Sequence, residues 1–334
     1  MNIIVPMAGM GKRMRPHTLT VPKPLLPIAG KPIVQRLVED ITAVTDEKIE
    51  NIAFVTGRFG SETEENLKKI AADLGAQGHI CYQDEALGTA HAILCAQEFL
   101  RGKTIVAFAD TLFKADFKFD TEKDGVIWVQ RIDDPSQFGV VELNPQGVIT
   151  GYAEKPETFV SDLAMIGIYY FKDGENLKSE LQYLIDNNII KGGEYQLPDA
   201  MRNMTEKGLE MVPGEIDEWL DCGNKDATVY SNTRVLEFNK HRDMVHESAV
   251  ISNSVIHPPC YIGAGAVVES SVIGPHVSIH GNTTVRNSII SNSIIYTNSH
   301  LEGQNFSNSM VGNHVTYISN PKDISIGDYT KIKD

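Results

Sequence analysis

The chain opens with the stretch NIIVPMAGMGKRMRP, residues 2–16, in which an apolar run leads into a basic, glycine-rich segment. Asn2–Pro6 predicts a buried strand, because short continuous apolar runs bounded by turn-forming residues are typical of strands covered on both faces. Gly9 and Gly11 then predict a tight loop, since glycine adopts backbone conformations that other residues avoid. A strand that ends in such a loop is typical of α/β domains.

Strands and helical patterns alternate through the first two thirds of the chain. Apolar runs predict strands at Asn2–Pro6, Asn51–Thr56, Thr104–Ala109 and Gly125–Arg131. Helical spacing of apolar residues predicts helices at Pro32–Val44, Glu62–Leu74 and Thr89–Leu100. This alternation predicts βαβ units and an α/β fold with a mainly parallel sheet, whose ligands lie beyond the carboxyl ends of the strands.

The composition changes near residue 245, where charged residues become rare and Ser, Asn, Gly and His become frequent. A 17-residue repeat relates Asn253–Ile256, Ser270–Ile273 and Asn287–Ile290. Within it, aliphatic or aromatic residues recur every five or six positions, at Ile256, Ile262, Val268, Ile273, Ile279, Val285, Ile290, Ile295, Leu301, Phe306 and Val311. Three short faces of this length predict one coil of a triangular solenoid with these side chains inside.

We therefore predict two domains, an α/β domain at residues 1–243 and a solenoid at residues 244–334. A connecting helix is expected at residues 226–240 of the first domain. The total of 334 residues suits two domains, taking roughly 100–200 residues for each.

The composition also excludes several classes of protein. No apolar run approaches the roughly 18 residues that cross a bilayer, and the apolar stretch at residues 2–8 is too short for a secretory signal. We expect a cytoplasmic protein with no membrane partner. The four cysteines are far apart, so neither a zinc site nor a disulfide framework is indicated.

Charge is distributed unevenly along the chain. The net charge of −14 argues against nucleic acid as a partner, because phosphate backbones are bound by broad positive surfaces. The first 38 residues, however, contain no acidic side chain and six basic ones, which are Lys12, Arg13, Arg15, Lys23, Lys31 and Arg36. A local positive field suits a small polyanion such as a nucleoside triphosphate.

The glycine-rich loop favours phosphate binding. Gly9 and Gly11 let backbone N–H groups approach phosphate oxygens, which Lys12 and Arg13 would neutralise. The dinucleotide fingerprint is excluded because Met14 stands where a third glycine is needed. A P-loop is excluded because Arg13 follows Lys12, where Ser or Thr is needed.

Six ordered motifs resemble those of the sugar-phosphate nucleotidylyltransferases, also called nucleotide-sugar pyrophosphorylases. They are Gly9–Arg13 with Pro22-Lys23-Pro24, Gln83–Ala90, Phe108–Asp110, Glu154–Pro156, Gly167–Tyr169 and Trp219–Gly223. The chain departs from the usual pattern at Ala8, Lys12, Ala109 and Thr111. The resemblance implies a Rossmann-like nucleotidyltransferase domain with a mainly parallel mixed sheet, followed by a left-handed parallel β-helix of hexapeptide repeats.

The resemblance also implies an activity and its residues. A sugar 1-phosphate would attack the α-phosphorus of a nucleoside triphosphate, and pyrophosphate would leave. The catalytic cations would be Arg13 and Lys23, and Mg²⁺ would be held by Asp110 and Asp221. Nucleotide binding is assigned to Ala8, Gly9, Gly11, Lys12, Arg13, Lys23, Gln83, Gly88 and Thr89. Sugar-phosphate binding is assigned to Gly139, Glu154, Lys155, Gly167, Tyr169 and Trp219.

The identity of the substrates stays open at this point. The Gln83 amide can pair with the N3–H and carbonyl edge of uracil or thymine, which favours dTTP or UTP over CTP or GTP. Glucose 1-phosphate is favoured among sugars by family frequency alone, and galactose, mannose and N-acetylglucosamine 1-phosphates stay open. The flat faces of the solenoid lead us to expect a homo-oligomer.

The solenoid has alternative interpretations. Hexapeptide β-helices often carry acyltransferase sites that use a histidine, and the histidines here are His257, His276, His280, His300 and His314. A bifunctional nucleotidyltransferase and acetyltransferase is therefore the main alternative. The solenoid could instead serve assembly or regulation. A wholly non-catalytic scaffold is disfavoured by the intact candidate site.

Overall fold

The computed structural model describes residues 1–116, 118–320 and 322–333. The chain forms two compact units. The first, here called the sheet unit, comprises residues 1–26 and 31–228, and the second, the coil unit, comprises residues 27–30 and the chain from residue 229 onward. Within the described ranges, no helix combines the length and apolarity needed to span a bilayer.

The helices and strands follow the predicted alternation as far as residue 238. The strands are β1 (Asn2–Pro6), β2 (Pro27–Ile28), β3 (Lys31–Pro32), β4 (Asn51–Thr56), β5 (Gln77–Tyr82), β6 (Thr104–Ala107), β7 (Thr111–Lys114), β8 (Gly125–Arg131), β9 (Gly139–Leu143), β10 (Ile149–Glu154), β11 (Leu163–Phe171), β12 (Met211–Gly214) and β13 (Glu218–Asp221). The α-helices are α1 (Ile33–Ala43), α2 (Ser61–Asp73), α3 (Thr89–Leu94), α4 (Gly174–Asp186), α5 (Leu197–Glu206) and α6 (Lys225–Phe238).

The core of the sheet unit is a nine-stranded mixed sheet. Its main order is β10-β9-β11-β6-β1-β4-β5, with β8 paired to β11 and β12. The strands around β1 are parallel, since β1 pairs with β4 and β6 and β4 pairs with β5 in that sense. Antiparallel pairing enters at β11, which joins β6, β8 and β9. The α/β prediction is confirmed.

Helix α1 shows why the helices cover this sheet. Its apolar residues Ile33, Val34, Leu37, Val38 and Ile41 are all almost completely buried. Their spacing places them on one side of a helix, and the intervening polar residues remain on the other side. Burial of this apolar face, rather than intrinsic helix propensity, stabilises a helix of this length.

A small two-stranded sheet completes one edge of the sheet unit. Strand β13 runs antiparallel to β7 and pairs Asp221 with Thr111. Beyond the last pair, the backbone N–H of Cys222 donates to the carbonyl oxygen of Asp110 at 2.9 Å. The two segments that the sequence singles out for their aspartates therefore lie side by side.

The coil unit consists of three stacks of short parallel strands. One stack is β14 (Val250–Ser252), β17 (Val267–Glu269), β20 (Thr284–Arg286), β23 (His300–Glu302) and β26 (Thr316–Ile318). The second is β15 (Val255–Ile256), β18 (Val272–Ile273), β21 (Ile289–Ile290) and β24 (Asn305–Phe306). The third is β16 (Cys260–Ile262), β19 (Val277–Ile279), β22 (Ser293–Ile295) and β25 (Ser309–Val311).

The interior of the coils holds the predicted side chains. Ile262, Ile279 and Ile290, for example, are fully buried, and all eleven predicted positions belong to one apolar cluster or pack against it. Parallel pairing at intervals of 16 or 17 residues continues from coil to coil. This is the architecture of a β-helix of hexapeptide repeats, so the second part of the fold prediction is also confirmed.

The repeated Asn-Ser and Ser-Ser pairs have a structural role at one corner of successive coils. Asn253 and Asn287 adopt left-handed backbone angles, which asparagine tolerates better than most residues. The following serines form a ladder, in which the N–H of Ser271 donates to Ser254 Oγ and the N–H of Ser288 donates to Ser271 Oγ. The polar corner thus satisfies backbone groups that the turn leaves without strand partners.

Candidate active site

The glycine-rich loop follows β1 and is shaped by one of its two glycines. Gly11 has φ of 55°, and a Cβ there would lie 3.0 Å from Lys23 Cβ and 3.1 Å from Thr18 Cγ2. Thr18 closes the turn by donating its hydroxyl to the Gly11 carbonyl at 2.8 Å. A Cβ on Gly9 would meet nothing within 4 Å. Gly11 is therefore required by the fold, whereas Gly9 leaves open space beside the loop.

A cleft of about 260 Å³ opens at the carboxyl ends of β1, β5 and β6. This is where a parallel sheet places its ligands. Seven of the nine predicted nucleotide-binding residues line it, which are Ala8, Gly9, Gly11, Lys23, Gln83, Gly88 and Thr89. Asp110 lines the same cleft. Lys12 and Arg13 are exposed on the turn that follows Gly11.

Opposite charges meet at the floor of this cleft. Lys23 Nζ lies 2.8 Å from Asp110 Oδ2, and the Lys23 side chain is only 13% exposed. Asp221 faces the same group of charges: burial raises the pKa of its carboxyl, a hydrogen bond from the Gly223 N–H lowers it, and Asp110 nearby raises it further. Arg13 is close as well, since a Cβ on Gly223 would lie 3.0 Å from Arg13 Nη2. Two cations and two carboxylates are thus brought together.

The two carboxylates fit a hard divalent cation. Asp110 and Asp221 offer oxygen donors at adjacent places on the paired β7 and β13 segments. Across residues 1–116, 118–320 and 322–333, no group of three or more His, Cys, Asp or Glu side chains is arranged to hold a metal. A pair of carboxylates is the protein contribution expected for Mg²⁺, which completes its octahedron with phosphate oxygens and water.

The loop between β5 and α3 forms another wall of the cleft. The Gln83 N–H donates to the Thr56 carbonyl at 2.9 Å, which fixes the start of the loop. Gly88 has φ of 110°, and a Cβ there would lie 2.4 Å from the Tyr195 carbonyl oxygen. The Thr89 hydroxyl accepts the N–H of Leu197 at 3.0 Å. The loop is therefore packed tightly against residues 194–197.

A smaller recess of about 90 Å³ adjoins the cleft and shares Thr89, Phe108 and Glu194 with it. Glu154 and Tyr169 line this recess. Burial raises the pKa of the Glu154 carboxyl, and the neighbouring Lys155 lowers it. Burial also raises the pKa of the Tyr169 hydroxyl, as do the charges of Glu154 and Asp110.

Two glycines pack against residues that line the recess. Gly139 pairs with Glu154 across β9 and β10, and a Cβ on Gly139 would lie 2.7 Å from Glu154 Oε2. Gly167 has φ of 86° at an irregularity in the pairing of β11 with β8, and its carbonyl accepts the Phe108 N–H. Both belong to the predicted sugar-phosphate set.

The remaining members of that set, Lys155 and Trp219, do not line the recess. Lys155 is 63% exposed, with Nζ 3.8 Å from Glu154 Oε1, and lines a wider cavity of about 620 Å³ with Glu154 and Glu194. Trp219 donates its indole N–H to Thr111 Oγ1 at 2.6 Å and packs edge-on against Phe138. Trp219 is thereby linked to β7, next to Asp110.

Glu194 was missed by the sequence interpretation, although it lines the cleft, the recess and the wider cavity. Gln196 lines two of them. Both lie in the segment GGEYQLPD, residues 192–199, whose paired glycines and polar residues precede α5. That polar, glycine-rich entry to a helix was the available signal, since functional residues concentrate on such loops.

Two family models match the chain. Residues 2–237 match the family model described as nucleotidyl transferase, and residues 241–316 match that of the GlmU-like C-terminal hexapeptide. Over 262 residues the chain is 29% identical to the low-salt glycan biosynthesis nucleotidyltransferase Agl11 of Haloferax volcanii, covering 74% of this chain and 70% of that protein.

Two further relatives differ in how much of their own length this chain covers. The bifunctional protein GlmU of Methanococcus maripaludis is 28% identical over 261 residues, covering 77% of this chain but only 60% of that protein. The glucose-1-phosphate thymidylyltransferase of Streptomyces griseus is 27% identical over 348 aligned positions, covering 96% of this chain and 95% of that protein.

Among solved structures, the nucleoside-diphosphate-sugar pyrophosphorylase from Vibrio cholerae superposes with a TM-score of 0.60 at 23% identity, covering 69% of this chain and 99% of that one. This likeness concerns the fold. The family match covers more than half of the chain and contains every residue of the site described above. The chain therefore belongs to the nucleotidyl transferase family.

Proposed function

We propose that this protein transfers a nucleotidyl group from a nucleoside triphosphate to a sugar 1-phosphate, giving a nucleotide sugar and pyrophosphate. The observation that carries the proposal is that the cleft and the recess adjoin each other. The cleft with the glycine-rich loop and the recess with Glu154 share Thr89, Phe108 and Glu194. Two ligands bound there would meet beside Lys23 and Asp110.

The reaction needs charge neutralisation and alignment more than proton transfer, because both substrates are polyanions. We assign Arg13 to the leaving pyrophosphate and Lys23 to the triphosphate near its α-phosphate. Lys155 would bind the phosphate of the sugar, and the Glu154 carboxylate would accept hydrogen bonds from sugar hydroxyls. Asp110 and Asp221 would hold Mg²⁺, which when bound adds positive charge at the phosphates.

The proposed substrates are dTTP or UTP and glucose 1-phosphate. Gln83 supports the choice of base, since it lines the cleft and carries an amide. The Streptomyces griseus relative, a glucose-1-phosphate thymidylyltransferase, is similar over nearly the whole chain and supports the choice of sugar. We also propose that the protein acts as a homo-oligomer in the cytoplasm.

Acetyl transfer on the coil unit is a second candidate, favoured by the match to the GlmU-like hexapeptide model. The coil histidines have varied surroundings. His276 Nε2 lies 2.6 Å from Glu237 Oε1, His280 is buried beside the rings of Tyr261 and Tyr296, and His300 is 3.6 Å from Glu302. An acetyltransferase would need one of them beside a bound acetyl donor.

A panel of nucleoside triphosphates and sugar 1-phosphates, assayed for pyrophosphate release with Mg²⁺, tests the first candidate. Release of free CoA from acetyl-CoA, measured in separate reactions, tests the second. We expect release with dTTP or UTP and glucose 1-phosphate. The Asp110→Asn variant, prepared in the same way, identifies any contaminating activity. Release that is equal in the wild type and this variant, or absent with every pair, would overturn the proposal.

A further inference from the structure

The side-chain amide of Gln83 is held in a single orientation. Its Nε2 lies 3.2 Å from the Gly88 carbonyl oxygen and 3.2 Å from His91 Nδ1. A carbonyl oxygen only accepts hydrogen bonds, so the amide nitrogen, and not the amide oxygen, must face Gly88. The two hydrogens of Nε2 are then directed to two acceptors. The Oε1 atom of Gln83 is left as the acceptor available to a ligand in the cleft. The sequence-based expectation is thereby narrowed, because the amide can accept from a base N–H but has no hydrogen left for a base carbonyl.

The start of α3 fixes both acceptors. The Gly88 carbonyl also accepts the N–H of Ala92 at 3.0 Å, as the first hydrogen bond of the helix. His91 is in the first turn of the same helix. Because the Gln83 nitrogen can only donate, His91 Nδ1 must accept, which places the imidazole proton on Nε2. The helix therefore presents a carbonyl and a neutral imidazole that together orient the amide.

We infer that His91 is a positioning residue that makes the site select bases with a ring N–H. Uracil and thymine present N3–H, which Gln83 Oε1 can accept. Cytosine has a lone pair at the same ring position and would face the oxygen with a second acceptor. An unpaired polar contact of this kind discriminates more strongly than a missing methyl group. The inference rests on the proposed function, in so far as the cleft must bind the nucleotide.

The test is a comparison of nucleotide affinities in the full-length protein. Titration calorimetry with Mg²⁺ and UTP, dTTP, CTP or GTP would be run on the wild type and on His91→Leu, which removes the acceptor. His91→Asn is the matched variant, because its Oδ1 can accept from Gln83 near the position of Nδ1. His79→Leu, which removes a histidine on β5 that is hydrogen-bonded to Asn51 of β4, controls for general effects.

We expect the preference for UTP or dTTP over CTP to fall about tenfold in His91→Leu, which corresponds to about 1.4 kcal/mol. The preference should remain in His91→Asn and His79→Leu. If His91→Leu does not fold, His91→Ala provides the same comparison. Equal loss of affinity for all nucleotides, or no base preference in the wild type, would overturn the inference. Selective binding without pyrophosphate release would overturn the proposed function and support this inference.

Discussion

At the scale of single residues, the site depends on charges that the fold holds close together. Lys23 is largely buried and paired with Asp110, so its ammonium is already in position before a triphosphate binds. Arg13 differs, because it is exposed on the turn after Gly11 and is near Asp221 without being enclosed. An exposed cation of this kind can move with the leaving group as negative charge develops.

Replacement of Arg13 should therefore affect chemistry and leave the fold intact. We expect Arg13→Ala to lower kcat by about 10²–10³-fold, since a lost donor at developing charge costs about 2.7–4 kcal/mol. Steady-state pyrophosphate release measures the effect, and circular dichroism checks the fold. Arg15→Ala, an exposed arginine of the same segment, is the control. Similar rates in the two variants would contradict the assignment.

The two aspartates should govern the response to Mg²⁺. We expect Asp110→Asn to abolish Mg²⁺-dependent turnover and Asp221→Asn to shift the Mg²⁺ titration to higher concentrations, because each change removes a charged oxygen donor. Asp133→Asn, at an exposed position, should titrate like the wild type. Unchanged titration curves for both site variants would show that the metal is held elsewhere.

At the scale of elements, the loops around the cleft are determined by close backbone approach. Gly11 packs on Lys23 and Thr18, and Gly88 packs on Tyr195. Neither position can take a side chain without moving a neighbouring segment. The glycine-rich loop and the loop between β5 and α3 are thus each tied to a second segment of the chain.

A pair of substitutions in the first loop tests this dependence. Gly11→Ala should cost about 1–2 kcal/mol from its left-handed backbone alone, with additional displacement of Lys23. We expect a lower Tm and a higher KM for the triphosphate. Gly9→Ala, where a Cβ has open space, should leave Tm unchanged. Thermal unfolding measures both Tm values. Equal values would refute the distinction between Gly11 and Gly9.

The bounds of most of the strands predicted from the sequence agree with the structure, whereas those of one helix do not. Apolar runs placed β1, β4 and β8 at the observed residues, since buried strands need continuous apolar side chains. The helix predicted at Thr89–Leu100 is shorter, because α3 ends at Leu94 and a 3₁₀ turn at Gln97–Phe99 follows. Phe99 and Leu100 are buried although they lie beyond α3, so the spacing of apolar residues could not show where the helix ends.

Only the part of the candidate site that lies in local motifs could be predicted from the sequence. Residues in compact motifs, such as Lys23 and Asp110, were found from local sequence. Glu194 was not, because its position in the site depends on Gly88 packing against Tyr195, a contact between segments far apart in the chain. The hydrogen bonds of Gln83 to Gly88 and His91 were likewise invisible, since loop geometry decides them.

At the scale of the whole molecule, every residue proposed for the nucleotidyl transfer lies in the sheet unit. The coil unit has its own apolar interior. A substitution in that interior should therefore lower the free energy of unfolding without changing kcat for nucleotidyl transfer.

Neighbouring isoleucines on β21 provide the test. Ile290 is fully buried, whereas Ile289 is 56% exposed. We expect Ile290→Ala to lower the free energy of unfolding by about 2–5 kcal/mol, and Ile289→Ala to have little effect. Both variants should retain kcat well below their unfolding transitions. Chemical denaturation and pyrophosphate release are the two measurements, and a similar unfolding midpoint for both would contradict the inward placement of Ile290.

The pairing of β7 with β13 has a consequence for biosynthesis. It joins Thr111 to Asp221 across more than a hundred residues, and the sheet strands β8–β12 are made between them. A nascent chain that has released only its first loops from the ribosome would carry Lys23 and Asp110 but not the second carboxylate. Long-range pairs of this kind form late, because chain closure must precede them. A chain that is unfinished or terminated before Asp221 therefore lacks one of the two proposed Mg²⁺ ligands, and the proposed site is completed only near the end of the synthesis of the sheet unit.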